Sequence, residues 1–208
     1  MSLLSRIAMV QSCRKIVSLI IGYVVYPVAF RSQFLIGGRA HIQAIGRKAI
    51  EEVQYDNFST RKIAVYKSGV RYEGLIITHP SANSGHWILD ALGRKSAMEH
   101  VIKERAKDCR AYRCNILLIN GPSVSGSGGW PTRYQFGAGF EAALQFLEKE
   151  VKATHILIRG FSLGGGMTAD ILEKRDFKEG MDNGIQYFVI SNRTFGHLST
   201  TSGRFVAD

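Results

Sequence analysis

The sequence predicts an α/β fold, with a mostly parallel sheet, an N-terminal antiparallel hairpin and flanking helices. Two observations predict it. Hydrophobic residues repeat with period two between residues 61 and 78, whereas short apolar runs at 87–92, 115–120, 155–159 and 185–191 are separated by stretches with helical spacing. Strands that alternate with helices in this way build a sheet with right-handed crossovers.

In chain order, Ile42, Ile45, Ala49, Ile50 and Val53 recur at helical spacing after Gly37-Gly38, with Arg47, Lys48, Glu51 and Glu52 on the other side. This is an amphipathic linking helix. Ile63 and Val65, the Ser68-Gly69 turn, then Val70, Tyr72 and 74–78 form the hairpin. Trp87 to Leu92 is a strand. Ser96 stands three residues before Glu99, the spacing of a capping box, ahead of a helix whose apolar side carries Ala97, Met98, Val101, Ile102, Ala106 and Cys109. Asn115 to Asn120 is an apolar strand of the buried parallel kind. The Gly/Ser/Pro loop 121–131 has the length and composition of a functional rim loop, and a helix with Phe136, Phe140, Ala143, Leu144, Leu147 and Val151 on one face follows it. His155 to Arg159 is the next strand, a helix runs through 167–174, and 185–191 is one more strand.

The 208 residues are 45% hydrophobic and 21% charged, a composition that excludes a wholly disordered chain. The charge is uneven. Arg6, Arg14, Lys15, Arg31, Arg39, Arg47 and Lys48 face no acidic residue within 1–48, so this segment supplies +7 of the net +10. The remaining 20 basic and 17 acidic residues leave only +3, so the folded part lacks the basic stripe of a nucleic-acid binder, and no nucleic-acid partner is expected. We divide the chain into a basic N-terminal segment, 1–58, and an α/β domain, 59–208.

The N-terminal segment holds the longest uncharged apolar run, Ile16 to Phe30, between Arg14-Lys15 and Arg31. It is a little short of the about 20 residues that span a bilayer, and Pro27 kinks it near its end. A membrane anchor or re-entrant segment, a buried helix and a signal peptide are the alternatives; an anchor at 16–30 and a membrane-associated protein are the expectation. Cys13, Cys109 and Cys114 lack disulfide pairing or metal spacing, which suits packing roles in a reducing compartment, and no metal or cofactor is expected.

Chemistry concentrates at Gly160-Phe161-Ser162-Leu163-Gly164. In this G-x-S-x-G pattern, between an apolar strand and a helix, Gly160 and Gly164 remove the Cβ clashes of a sharp turn that exposes Ser162 as a nucleophile. The Leu163 amide then stands at a helix N-terminus, available to a developing oxyanion. An inert Gly-rich turn is the alternative. Residues 164–169 also fit a loose dinucleotide pattern, but the following strand ends Ser191-Asn192 with no carboxylate for a ribose hydroxyl. The loop 121–131 lacks the lysine of a P-loop.

The pieces WILDALG (87–93), NGPSVSGSGGWPT (120–132), FLEKE (146–150), RGFSLGGG (159–166) and FVISNRTFGHLS (188–199) together resemble the α/β-hydrolase superfamily and, within it, the chlamydial CHLPS family. The resemblance covers roughly the last 150 residues. It implies a partial α/β-hydrolase fold, acyl-hydrolase chemistry and a bacterial protein. Carried over, Ser162 falls on the nucleophile, Leu163 on one oxyanion donor, and Gly93 or Arg94 on the loop of the second. The superfamily orders its triad Ser, acid, His. Past Ser162 the only histidine is His197, immediately after the last strand, and the acids are Asp170, Glu173, Asp176, Glu179, Asp182 and Asp208. His79, His86 and His155 read as structural or solvated. A chain ending at Asp208 is expected to lack the final strands.

Two functions follow. One is a serine hydrolase that opens a small carboxylic ester or thioester through an acyl-enzyme at Ser162. The other is a catalytically inactive, membrane-associated binding module.

Overall fold

The computed structural model describes residues 12, 16–93 and 95–192. Its elements are α1 (Ile16–Val25), α2 (Pro27–Phe34), α3 (Gly38–Tyr55), β1 (Ser59–Lys67), β2 (Val70–Thr78), β3 (Asn83–Ala91), α4 (Ile102–Tyr112), β4 (Cys114–Ile119), α5 (Arg133–Lys149), β5 (His155–Phe161), α6 (Leu163–Lys174), α7 (Lys178–Asp182) and β6 (Gln186–Asn192). The six strands form one sheet in the order β1-β2-β4-β3-β5-β6.

β1 and β2 are the expected hairpin. Lys67 pairs with Val70 across a two-residue turn in which Ser68 and Gly69 both have positive φ, 52° and 73°, the turn whose twist matches the strands. β2 runs antiparallel to β4, and β4, β3, β5 and β6 are mutually parallel. Because β4 lies on one side of β3 and β5 on the other, the connections diverge at β3. In open α/β sheets a crevice forms there, beyond the carboxyl ends of the strands.

Both faces of the sheet are covered except at β6, where Phe188, Val189 and Ile190 are exposed. On one, Tyr72, Leu89, Leu117 and Ile158 pack against Phe140, Leu144 and Leu147 of α5. On the other, Leu75, Ile77, Ile88, Ile116 and Leu118 meet Ala49 and Val53 of α3 and Ile102, Ala106 and Cys109 of α4. The linking helix is thus part of the core. A third cluster gathers Tyr26, Val28, Ala29 and Ile42 around Val124 and Phe136, with Leu163 packed against it.

Three local expectations need correction. The Ser96–Glu99 capping box does not form: Glu99 turns inward, and its two carboxylate oxygens accept from the buried Asn120 Nδ2 at 3.2 and 3.0 Å. His100 Nδ1 accepts the Ala97 amide instead, at 3.2 Å, in a single 3₁₀ turn, and α4 starts only at Ile102. The loop 121–131 is largely a buried clamp. Ser127 Oγ accepts from the Glu73 amide and donates to the Asn120 carbonyl, the Glu73 carboxylate accepts the Gly126 amide, and Ser32 Oγ accepts the Ser125 amide.

The third correction concerns a single straight transmembrane span at 16–30, not membrane association. Among the described residues no single helix is long and apolar enough to cross a membrane. α1 and α2 pass that test only together, and they are bent by 100° at the break before Pro27, where Tyr26, Val28 and Ala29 are buried in the protein. A straight span is not formed.

Candidate active site

Ser162 sits at the carboxyl end of β5 as the residue before the first turn of α6, with φ 53° and ψ −118°. Only glycine takes that conformation without strain, and a serine held there costs about 1–3 kcal/mol. Its backbone is bonded on both sides. The Ser162 amide donates to the Asn192 carbonyl at the end of β6, and the Ser162 carbonyl accepts the Gly165 amide, both at 3.0 Å.

The two expected elbow glycines are sterically required. A Cβ on Gly160 would lie 2.7 Å from the Gly165 Cα, because α6 folds back against the strand it leaves. A Cβ on Gly164 would lie 2.0 Å from the Ala91 carbonyl oxygen, because the helix start crosses the end of β3. The third glycine, Gly166, has open space where its Cβ would be. That is a packing argument for the G-x-S-x-G spacing itself.

Gly93 is brought to the same place. It follows β3, is buried, and packs so close to the ring of Phe161 that a Cβ would stand 3.1 Å from it. Leu163, the first residue of α6, has an amide with no acceptor inside its own helix, as for every first turn. Ser162, Leu163, Gly160, Gly164 and Gly93 therefore converge on one corner of the sheet. Arg94 lies outside the described residues.

A cleft of about 380 Å³ runs beside this corner on the α4 side, bounded by Gly93, Arg105, Arg159, Phe161, Ile190 and Asn192. Its floor is an ion network. The fully buried Asp90 of β3 accepts from Arg159 Nε and Nη2 at 3.1 and 3.0 Å and from Arg105 Nε, and Asp108 accepts from Arg159 Nη1 at 2.7 Å and Arg105 Nη1 at 3.2 Å. Burial alone would lower the affinity of Arg159 for its proton, but Asp90 and Asp108 outweigh it and raise that pKa. Both cations in the cleft are already neutralised.

The network has no counterpart in the sequence expectations, although a sign of it was present. Asp90 and Arg159 are opposite charges in two otherwise apolar strands, and a charge in a buried strand demands a partner.

The proton acceptor is less complete. Among the described residues Ser162 Oγ has no hydrogen-bond partner. The rings of His86 and His155 meet at 4.4 Å, tilted by 51°, near the amino ends of β3 and β5, and His155 lies six residues, about 20 Å, along the strand from Phe161. His79 bonds to Ser81. His197 and Asp208 lie outside the described residues. Burial pushes the thiols of Cys109 and Cys114 up to about 11, so neither offers an alternative nucleophile near neutral pH; Cys13 lies outside the described residues. Among the described residues no group of three His, Cys, Asp or Glu side chains could hold a metal ion.

A parallel sheet that diverges at β3, with a strained serine at the end of the next strand, invites comparison with known proteins. Residues 8–208 match the family described as Chlamydia CHLPS protein (DUF818). The chain belongs to this family. In fold, the CHLPS chain is similar to the esterase Pf2001 of Pyrococcus furiosus, 17% identical with a TM-score of 0.59, over 74% of this chain and 56% of the esterase. It is equally similar to an alpha-beta hydrolase from Vibrio vulnificus, 16% identical with a TM-score of 0.60, over 82% of this chain and 55% of that one. The CHLPS chain thus spans little more than half the length of these structures, and its fold is that of an α/β hydrolase. No curated protein is detectably similar to it.

Proposed function

We propose that this chain carries the nucleophile of a serine acyl hydrolase acting on a carboxylic ester or thioester. The observation that carries the reading is the conformation of Ser162, held at φ 53° and ψ −118° between β5 and α6 by glycines that no larger residue could replace. Strain of this kind persists where the surrounding structure over-determines it, as at a nucleophile that must stand clear of its strand. The esterase and hydrolase folds to which the chain is similar support the same chemistry.

In the proposed reaction Ser162 Oγ adds to the acyl carbonyl carbon while its proton passes to a base. The oxyanion that develops takes a hydrogen bond from the Leu163 amide, and the loop at Gly93 supplies the second donor. Collapse expels the alcohol or thiol, which takes up the proton. Water then adds to the acyl-serine, and the carboxylate leaves with Ser162 regenerated. His197, the only histidine after Ser162 in the sequence, is one candidate for that base, with a loop histidine of no role as the alternative.

A fluorophosphonate probe tests the reading. The purified chain is expected to be labelled at Ser162, mapped by peptide mass, with labelling lost in Ser162→Ala and strongly reduced in His197→Ala. The absence of a bond to Ser162 Oγ among the described residues favours one second reading, a hydrolase-like binding module without catalysis. A folded chain that resists the probe would select it.

A further inference from the structure

The two sides of the bent pair α1 and α2 meet different surroundings. Its inner side is fastened to the domain. Tyr26 stands edge-on to Phe136 with ring centroids 4.7 Å apart, Gln33 Nε2 donates to the Ser123 carbonyl at 2.8 Å, and the Tyr23 hydroxyl lies 3.3 Å from Ser123 Oγ. α1 also presses against the loop 121–131 so closely that a Cβ on Gly22 would lie 2.0 Å from the Pro131 carbonyl oxygen. These contacts hold the bend, so the pair has no route to a straight membrane span that keeps its packing.

The outer side is apolar and uncovered. Ile20 is 58% exposed, Val24 73% and Trp130 of the neighbouring loop 54%, and with Tyr23, Phe30 and Phe34 they line a groove of about 550 Å³. Ile36 follows at the end of α2, fully exposed. Exposed apolar side chains gathered in one place, rather than scattered singly, mark an interaction surface.

Charge identifies what covers it. Arg31, on α2, and Arg39, bonded to Gln33 of α2, are exposed beside the apolar groove, and Arg47 and Lys48 are exposed further along α3. No acidic residue occurs anywhere in 1–48. A second copy of the chain would set one basic surface against another. An apolar ridge with tryptophan, tyrosine and phenylalanine, on a segment whose only charged residues are cations, instead matches the boundary between acyl chains and anionic headgroups. We propose that the outer face of α1, α2 and Trp130 docks on an anionic lipid bilayer and lies in its surface without crossing it. The inference stands apart from the serine chemistry. It is linked to it only through the inner side of the pair, where Leu163 packs on the cluster that holds Tyr26.

The test uses the full chain and two vesicle compositions, phosphatidylcholine with phosphatidylglycerol and phosphatidylcholine alone. Flotation is expected with the anionic vesicles and at least about tenfold weaker with the neutral ones, the charges near the surface setting the ratio. Trp130 emission is expected to shift to the blue on binding; Trp87, the other tryptophan, is buried in the core, and Trp130→Phe should remove the shift. The double variant Ile20→Glu with Val24→Glu alters two exposed positions, so it should melt like the parent and fail to float. Ser162→Ala should float like the parent, which separates this inference from the catalytic one. Absence of flotation with anionic vesicles overturns the proposal. So does flotation by the double variant, or a lipid-free dimer that buries Trp130.

Discussion

Asp90 and Arg159 are register partners on the neighbouring parallel strands β3 and β5, and Arg159 grips both oxygens of the buried carboxylate three residues before Ser162. A slip of one residue between these strands would turn every side chain to the opposite face and carry Ser162 with them. The pair, joined to α4 through Arg105 and Asp108, therefore positions the elbow. Removing one member of a buried pair strands the other charge, at a cost of about 3–5 kcal/mol. Asp90→Ala leaves two guanidinium groups short of their shared partner, whereas Arg159→Met leaves Asp90 still paired with Arg105. Urea unfolding should show the larger loss for Asp90→Ala. Equal losses would mean that Arg105 contributes nothing to the site.

The elbow glycines make opposite predictions within one helix turn. Gly164→Ala drives a methyl into the backbone of β3 and should cost about 3 kcal/mol, the upper end of ordinary overpacking. Gly166→Ala meets open space in α6 and should stabilise by up to about 1 kcal/mol, the helical preference for alanine over glycine. Thermal melts of the two variants check the pair. A Gly164→Ala protein as stable as the parent would mean that α6 starts elsewhere than across the end of β3.

Ser162→Gly separates strain from chemistry. The substitution relieves about 1–3 kcal/mol held in the serine backbone and returns about 0.4–1 kcal/mol through the freer unfolded chain, a net gain of about 1 kcal/mol. Fluorophosphonate labelling should vanish in the same variant. Ser162→Ala removes the hydroxyl but keeps the Cβ and should be stabilised less. A nucleophile position whose glycine variant is less stable than the parent would contradict the strained geometry.

Most of this architecture was legible because it depends on local periodicity. The hairpin at Ser68-Gly69, the buried run 115–120 and the strand-turn-helix around Ser162 each announce themselves within a few residues. The failures lie where distant side chains compete. Glu99 has the spacing of a cap, but Asn120, on another element, offers its buried carboxylate two hydrogen bonds. A straight span is not formed at 16–30, because Phe136 and Val124 bury Tyr26 and Ala29 where the segment bends. The Asp90–Arg159 pairing depends on a sheet order in which β5 lies beside β3 rather than β4, and no single strand encodes that order.

The displaced cap leaves a pH-dependent element. His100 Nδ1 accepts the Ala97 amide, a bond that only the neutral imidazole can make. Partial burial lowers its pKa below the ordinary 6.5; Glu99 opposes that, and His41 and Arg31 add to it. The folded chain then binds this proton less readily than the unfolded chain, so stability rises with pH across the interval between the folded and unfolded pKa values. His100 should therefore contribute fully above about pH 6.5 and lose its contribution as the pH falls below it. His100→Gln has no titrating group, so the stability of the parent relative to this variant should be greater at neutral pH than at mildly acidic pH. Urea midpoints for both proteins on either side of the interval measure the difference. A gap that does not change with pH would show that His100 keeps the same proton occupancy in the folded and unfolded chains.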